Sequence, residues 1–414
     1  MLSPKADQPW CNHYPLILAL LTALVFLSQG CMALHVRQPL PEHLMDQAEV
    51  ADLPGIRAWG DTLSESLEKS AIESIRQEMA ANHGKLEPEA NFLALSGGGG
   101  DGAFGAGILC GWTEAGTRPR FKLVTGISTG ALIAPFAFLG PEYDATLKVY
   151  TMVTQEEIFR RRSLLTVLWR DSLADTGPLA NLIAKYIDEP LLQAVAAEHQ
   201  RGRRLFIGTT QFDAQRLVIW NMGAIAASGH PEALTLFRKI LLASASIPGF
   251  FPPQYVKVEA GGRHYEEMHV DGGAMAQVIL YEDALKPFAD MDKIQEIKMT
   301  GRAKTLYIIR NGHVKPNWEK VRPRLAPITS RAIATLIQSQ GIGDLYRLFT
   351  FARRDRMDFN LAAIPEDFPS PPSEMFNQSY MNQVFDLAFA MARKGYPWKK
   401  YPPLYDPESV FRMQ

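Results

Sequence analysis

Two glycine-bearing turns in residues 91–140, each entered by an apolar run and left by a small-residue segment, constrain this chain more than any other feature. In the first, Phe92-Leu93-Ala94-Leu95 enters Gly97-Gly98-Gly99-Gly100, and a helix is expected over 102–110. In the second, Phe121-Lys122-Leu123-Val124 enters Gly126-Ile127-Ser128-Thr129-Gly130, and a helix is expected over 131–138. A strand, a tight turn and a helix, repeated at once, predict adjacent strands joined by crossover helices, which is the grammar of an α/β sheet.

The rest of the chain extends that grammar. The apolar positions Leu63, Leu67, Ala71, Ile75 and Met79 recur at four-residue spacing and predict an amphipathic helix over 61–82. Residues 141–200 read as helical, with the basic triplet Arg160-Arg161-Arg162 at a helix end beside the apolar run 163–169, either a solvated end or a lip for acyl chains. Strands are expected at 204–210 and 216–222, a helix at 231–244, and a rigid apolar loop at 246–253. A hairpin over 254–259 and 264–270 turns at Gly261-Gly262 and ends on Asp271-Gly272-Gly273. Beyond it come a strand at 305–310, a helix at 328–353, a strand at 357–364 and a helix at 379–394. Helices then cover both faces of the sheet, and ligands bind where its strands end, at the Gly97 turn, Ser128 and Asp271.

Chemistry follows from what these turns present. A serine hydroxyl is a weak nucleophile unless it is held exposed beside a base, and GxSxG on a strand-to-helix elbow holds it so, with Gly126 and Gly130 letting the turn close. Backbone amides of Gly97 to Gly100, unscreened by side chains, suit a developing oxyanion. The same glycines contain Gly100-Asp101-Gly102-Ala103-Phe104-Gly105, a GxGxxG fingerprint for dinucleotides. That reading requires an acid at the end of the following strand, where this chain has Ser128 instead. For the base the sequence offers two histidines: His313 completing a serine-aspartate-histidine order with Asp271, or His269 on the face of Asp271. His264, Glu266, Glu267 and His269 also suggest a metal cluster, but strand alternation puts the two histidines on opposite faces, so no metal and no cofactor is expected.

At the N-terminus an apolar run over 14–27 ends at Ser28-Gln29-Gly30-Cys31, as in the export signal of a bacterial lipoprotein whose cysteine becomes the lipidated end of the mature chain. The expectation is an exported protein, periplasmic or anchored at a membrane through Cys31, in a bacterium. Cys110 is then a lone packing residue. A net charge of -1 over 414 residues gives no pull toward nucleic acid, so contact with a membrane surface must be local.

Ser96 to Gly102, GxSxG at Ser128, the run Ala243 to Pro253 and Asp271-Gly272-Gly273 together resemble, in order and spacing, the patatin-like phospholipases. The resemblance implies a three-layer α/β/α sandwich with a mostly parallel central sheet and a catalytic domain over 91–330. Around it stand a leader over 1–31, a lead-in over 32–90 and a C-terminal extension over 331–414. It further implies acyl-ester hydrolysis on lipids, with Ser128 as nucleophile, Asp271 as its partner in a histidine-free dyad, Gly97 to Gly100 as the oxyanion hole, and Gly272 and Gly273 supporting the aspartate. Two positions depart from the family: Asp101 stands where a basic residue is usual, and Gln277 where asparagine is common. A scaffold that keeps the fold without catalysis is the reading from a different class.

Overall fold

Five parallel strands deliver both glycine turns to one edge of a sheet in this computed structural model, which describes residues 37–162, 171–280, 302–372 and 374–407. The leader, Cys31 and the apolar run 163–169 lie outside the described residues. Residues 1–38 separate as one unit, and the elements below belong to the other, Pro39–Gln414.

The parallel strands are β2 (Glu89–Leu95), β3 (Phe121–Ile127), β6 (Arg204–Gln211), β10 (Ala303–His313) and β11 (Asp358–Ile364), side by side in the order β6-β3-β2-β10-β11. Two antiparallel strands, β7 (Arg216–Asn221) and β1 (Arg57–Trp59), extend the β6 side. The hairpin of β8 (Gln254–Ala260) and β9 (Arg263–Asp271) joins β6 through the end of β9. The central strands are mostly apolar and buried on both faces, so they need cover on both sides. Alternation then splits each strand: Leu93, Leu95, Val124 and Ile207 enter one core, while Phe92, Ala94, Leu123 and Phe206 enter the other.

Helices α1 (Glu65–Ala81) and α7 (Leu325–Arg354) cover one face. The other is covered by α2 (Gly102–Glu114), α3 (Thr129–Leu139), α4 (Gly177–Tyr186), α5 (Glu189–Gln200), α6 (Ala233–Ser244) and α8 (Gln378–Arg393). The result is the three-layer α/β/α sandwich. Helix α8 packs on α2 backbone to backbone: a Cβ at Gly107 would lie 2.4 Å from the Phe385 carbonyl oxygen, and one at Gly111 would lie 2.3 Å from that of Phe389. Only glycine permits that approach.

Two expectations need correction. Helix α1 starts four residues later than its apolar spacing suggests, because the Ser64 side chain caps it by accepting from the Leu67 amide, and Leu63 is left 74% exposed. Residues 141–200 are not helical throughout. Short turns follow Gly140-Pro141, and β4 (Arg160–Arg161) pairs antiparallel with β5 (Ala174–Asp175), so the basic triplet begins in a strand rather than at a helix end. Only then do α4 and α5 start, each with proline in its first turn.

Candidate active site

Register places the two halves of the site at one level. Ile127 pairs with Gly208 on β6, and the next β6 residue, Thr209, pairs with Asp271 on β9. Because β9 runs against β6, Asp271 reaches the carboxyl edge of the parallel strands from outside, while Ser128 leaves that edge at the end of β3. One strand thus bridges 143 residues of sequence. The Ser128 hydroxyl donates to Asp271 Oδ2 at 2.6 Å, within the range of a hydrogen bond to a carboxylate.

Ser128 sits at φ 53°, ψ -124°, a backbone conformation that L side chains rarely adopt. Its surroundings hold it there. The Ser128 amide donates to Ser244 Oγ at 3.0 Å, and Ser244 Oγ donates to the Gly208 carbonyl at 2.7 Å, which ties the turn to β6. Directly after the serine, α3 begins, so its first amides point at the same space without helical acceptors. The turn closes against the glycine loop: a Cβ on Gly130 would fall 2.4 Å from the Leu95 carbonyl oxygen.

Asp271 is buried, and burial pushes its carboxyl up to about 6, against the opposing hydrogen bonds from Ser128 and the Gly273 amide. The Gly273 amide donates to Oδ1 at 2.7 Å, the Asp271 amide donates to the Ser246 carbonyl at 2.8 Å, and Thr210 Oγ1 donates to the Asp271 carbonyl at 2.9 Å. The apolar loop after α6 therefore also fixes the acid.

Neither histidine meets this pair. His269, fully buried, uses both ring nitrogens elsewhere, with Thr209 Oγ1 at 2.9 Å and Glu267 Oε2 at 3.1 Å; Glu267 in turn pairs with Arg57 on β1. The His313 ring lies by the backbone at Pro365 and Pro369, and its buried Nε2 has no hydrogen-bond partner among the described residues. With Asp271 Oδ2 on Ser128 and Oδ1 on Gly273, the geometry of a serine-aspartate-histidine triad through His313 is absent. His264 is 82% exposed on the far face of its strand from His269, so the two share no ion.

The glycine loop lies beside the serine, with one revision to its expected role. The Gly97 amide donates to the Gln277 carbonyl at 3.0 Å, so it is not free to meet an oxyanion. Gly98, Gly99 and Gly100 enter a short 3-10 turn, Gly99–Asp101, whose first amides have no acceptor within the turn. Residues beyond the loop lock its shape. Asn311, at the end of β10, donates from its amide to Ser96 Oγ at 2.8 Å and from Nδ2 to the Ser96 carbonyl at 2.7 Å, and it accepts the Gly105 amide on Oδ1 at 3.0 Å. Asp101 accepts the Tyr380 hydroxyl at 2.9 Å. Sequence reasoning did not find Asn311, Ser244 or Tyr380 as site residues; their polar character inside apolar elements is the only local signal they carry.

From Ser128 an apolar cavity of about 110 Å³ runs between the helices, lined by Leu132, Leu179, Ile183, Leu241, Phe251 and Met381 among others. Tyr150 also lines it, and its hydroxyl lies 2.8 Å from Thr129 Oγ1 next to the serine. Cys110 is buried away from solvent, and burial raises its thiol to about 12, so it is inert packing.

A three-layer α/β/α fold, a serine on a strained strand-to-helix elbow and a buried aspartate on its hydroxyl define a class of acyl-transfer site. The family model of the patatin-like phospholipases matches residues 93–282, the stretch that carries the glycine loop, Ser128 and Asp271. A crystal structure of VipD from Legionella pneumophila is similar over 75% of this chain and 68% of that one, at 10% identity and a TM-score of 0.32. No curated protein matches the chain.

Proposed function

We propose that the protein hydrolyses fatty-acyl esters of lipids through a Ser128–Asp271 dyad and an acyl-enzyme. The observation that carries this reading is the 2.6 Å hydrogen bond from a strained serine to a buried aspartate at the mouth of an apolar cavity. Ionised Asp271 takes the hydroxyl proton as Ser128 Oγ adds to the ester carbonyl. The oxyanion that forms is met by amides of Gly98 to Gly100 and of the first turn of α3. As the intermediate collapses, the carbon–oxygen bond to the alcohol breaks, and Asp271 returns the proton to that leaving oxygen. Water then adds to the acyl-enzyme as Asp271 accepts its proton, and when the acyl–Oγ bond breaks Asp271 passes that proton to Ser128 Oγ, which releases the fatty acid and restores the serine. The cavity holds the acyl chain; the dyad needs neither metal nor cofactor.

An aspartate at its ordinary pKa of about 3.9 is a poor base at neutral pH. Burial makes Asp271 a better one while leaving it ionised at pH 7. Purified protein is expected to hydrolyse p-nitrophenyl esters of fatty acids, with Ser128→Ala lowering kcat/KM by at least about 10³-fold. Undiminished turnover in that variant would sink the reading, and so would a fold-intact scaffold with no turnover at all. The leader and Cys31 support export and lipid anchoring as part of the same proposal.

A further inference from the structure

The first half of α7 wears its apolar residues on the wrong side. Trp318, just before it, is 85% exposed, Leu325 84%, Leu336 69%, and Ile328 and Ile333 are more than half exposed. At about 100° per residue, Leu325, Ile333 and Leu336 fall on the arc opposite Pro327, Arg331 and Gln338, three half-buried positions that turn toward the body. Gln338 confirms the direction by donating to the Val314 carbonyl at 3.1 Å. An ordinary surface helix buries its apolar stripe and shows water its polar one. This one leaves leucine and isoleucine in water alongside its polar residues.

The same surface is basic. Residues 314–340 hold Lys315, Lys320, Arg322, Arg324 and Arg331 against a single acid, Glu319, in a chain whose net charge is -1. Arg331 pairs with Glu319 and Lys315 with Glu366, while Lys320, Arg322 and Arg324 make no ion pair among the described residues. An exposed tryptophan, a row of leucine and isoleucine and flanking cations are the composition of a helix that lies in a lipid interface. A second copy fits less well, because a two-fold contact would set two positive surfaces against each other. No described helix is long and apolar enough to cross a membrane.

The helix is also continuous with the active-site rim. Asp344 Oδ2 accepts the Gln277 amide at 2.6 Å, Gln340 Oε1 accepts from Gln277 Nε2 at 3.4 Å, and the Gln277 carbonyl holds the Gly97 amide. From Gln340 back to Leu325 the helix reaches roughly 22 Å at its 1.5 Å rise. We infer that the Trp318–Ile337 surface docks the protein on an anionic lipid bilayer and presents the site's rim to it. The inference rests on the lipid-hydrolase reading for its purpose, though not for its physics.

The test measures binding of the full chain to sucrose-loaded vesicles of phosphatidylcholine, with and without one-third phosphatidylglycerol. Arg322→Glu/Arg324→Glu is expected to abolish the preference for anionic vesicles, by about tenfold or more. Leu325→Ser/Leu336→Ser is expected to lower binding about tenfold or more, and Trp318→Phe to remove most of the tryptophan quenching by brominated lipid. All three should hydrolyse a soluble short-chain p-nitrophenyl ester at the wild-type rate, which also shows that they are folded. Wild-type binding and quenching in these variants would overturn the proposal. So would a wild-type dimer in analytical ultracentrifugation that Leu325→Ser/Leu336→Ser dissociates. If only the hydrolase reading is wrong, the soluble ester is untouched by every form while vesicle binding still separates them.

Discussion

The Tyr380 hydroxyl donates to the Asp101 carboxylate at 2.9 Å, joining helix α8 to the last residue of the glycine loop. Burial pushes Asp101 up to about 7, although the Tyr380 bond and nearby Arg310 oppose the shift. Phe376 lies against Gly99 and Gly100, and Met381 against Gly100, so the C-terminal part of the chain forms the outer wall of the loop that faces Ser128. Asp101 is thus a fastening for the loop in a position where the family usually carries a cation.

Tyr380→Phe is expected to lower kcat by about threefold to tenfold with KM little changed, since one hydrogen bond is worth about 1 kcal/mol. Asp101→Ala should match it, the double variant should add nothing further, and Asp101→Asn, which keeps an acceptor, should restore most of the rate. Steady-state kinetics in a double-mutant cycle decides this; strictly additive losses would show that the two residues do not act together.

Ser244 Oγ accepts the Ser128 amide in the nucleophile turn. Ser244→Ala leaves the buried Ser128 amide without its partner, at a cost of about 1–3 kcal/mol. Denaturant titration should register that loss, and kcat should fall with it, because the positive-φ conformation of Ser128 depends on the same bond. An unchanged unfolding midpoint would mean that the turn is held elsewhere.

The pH profile follows from Asp271. Its pKa in the folded protein, about 6, lies above the ordinary aspartate value of about 3.9, so kcat/KM should decline as pH falls through about 6 rather than through about 4. Stability moves the other way. A raised carboxyl binds its proton more tightly when folded, so this group's contribution to stability grows as pH drops from above 6 toward 4. Asp271→Asn should therefore melt no lower than wild type at pH 8 while losing at least about 10²-fold in activity. An activity profile flat to pH 4.5 would count against the dyad.

Much of this was readable beforehand. The short apolar runs at Phe92 to Leu95 and, either side of Lys122, at Phe121 to Val124 read as buried strands, and the turns after them carry their chemistry in consecutive residues. The hairpin ending on Asp271 was equally plain from its alternation. Ser244, Asn311 and Tyr380 were not, because each is a single polar residue whose partner is supplied by topology: Asn311 meets Ser96 across 215 residues. The engaged Gly97 amide belongs with them, since a glycine run does not show which of its donors the fold has already claimed. For α7 the periodicity gave the helix, but only the packing shows which side is turned outward.

The most direct measurement is intact-protein mass spectrometry after reaction with a fluorophosphonate. One adduct on Ser128 is expected in wild type, none in Ser128→Ala, at least about 10²-fold slower labelling in Asp271→Asn, and the wild-type rate in His313→Ala. Labelling of folded Ser128→Ala at the wild-type rate, or loss of labelling in His313→Ala with Asp271→Asn unaffected, would contradict the dyad.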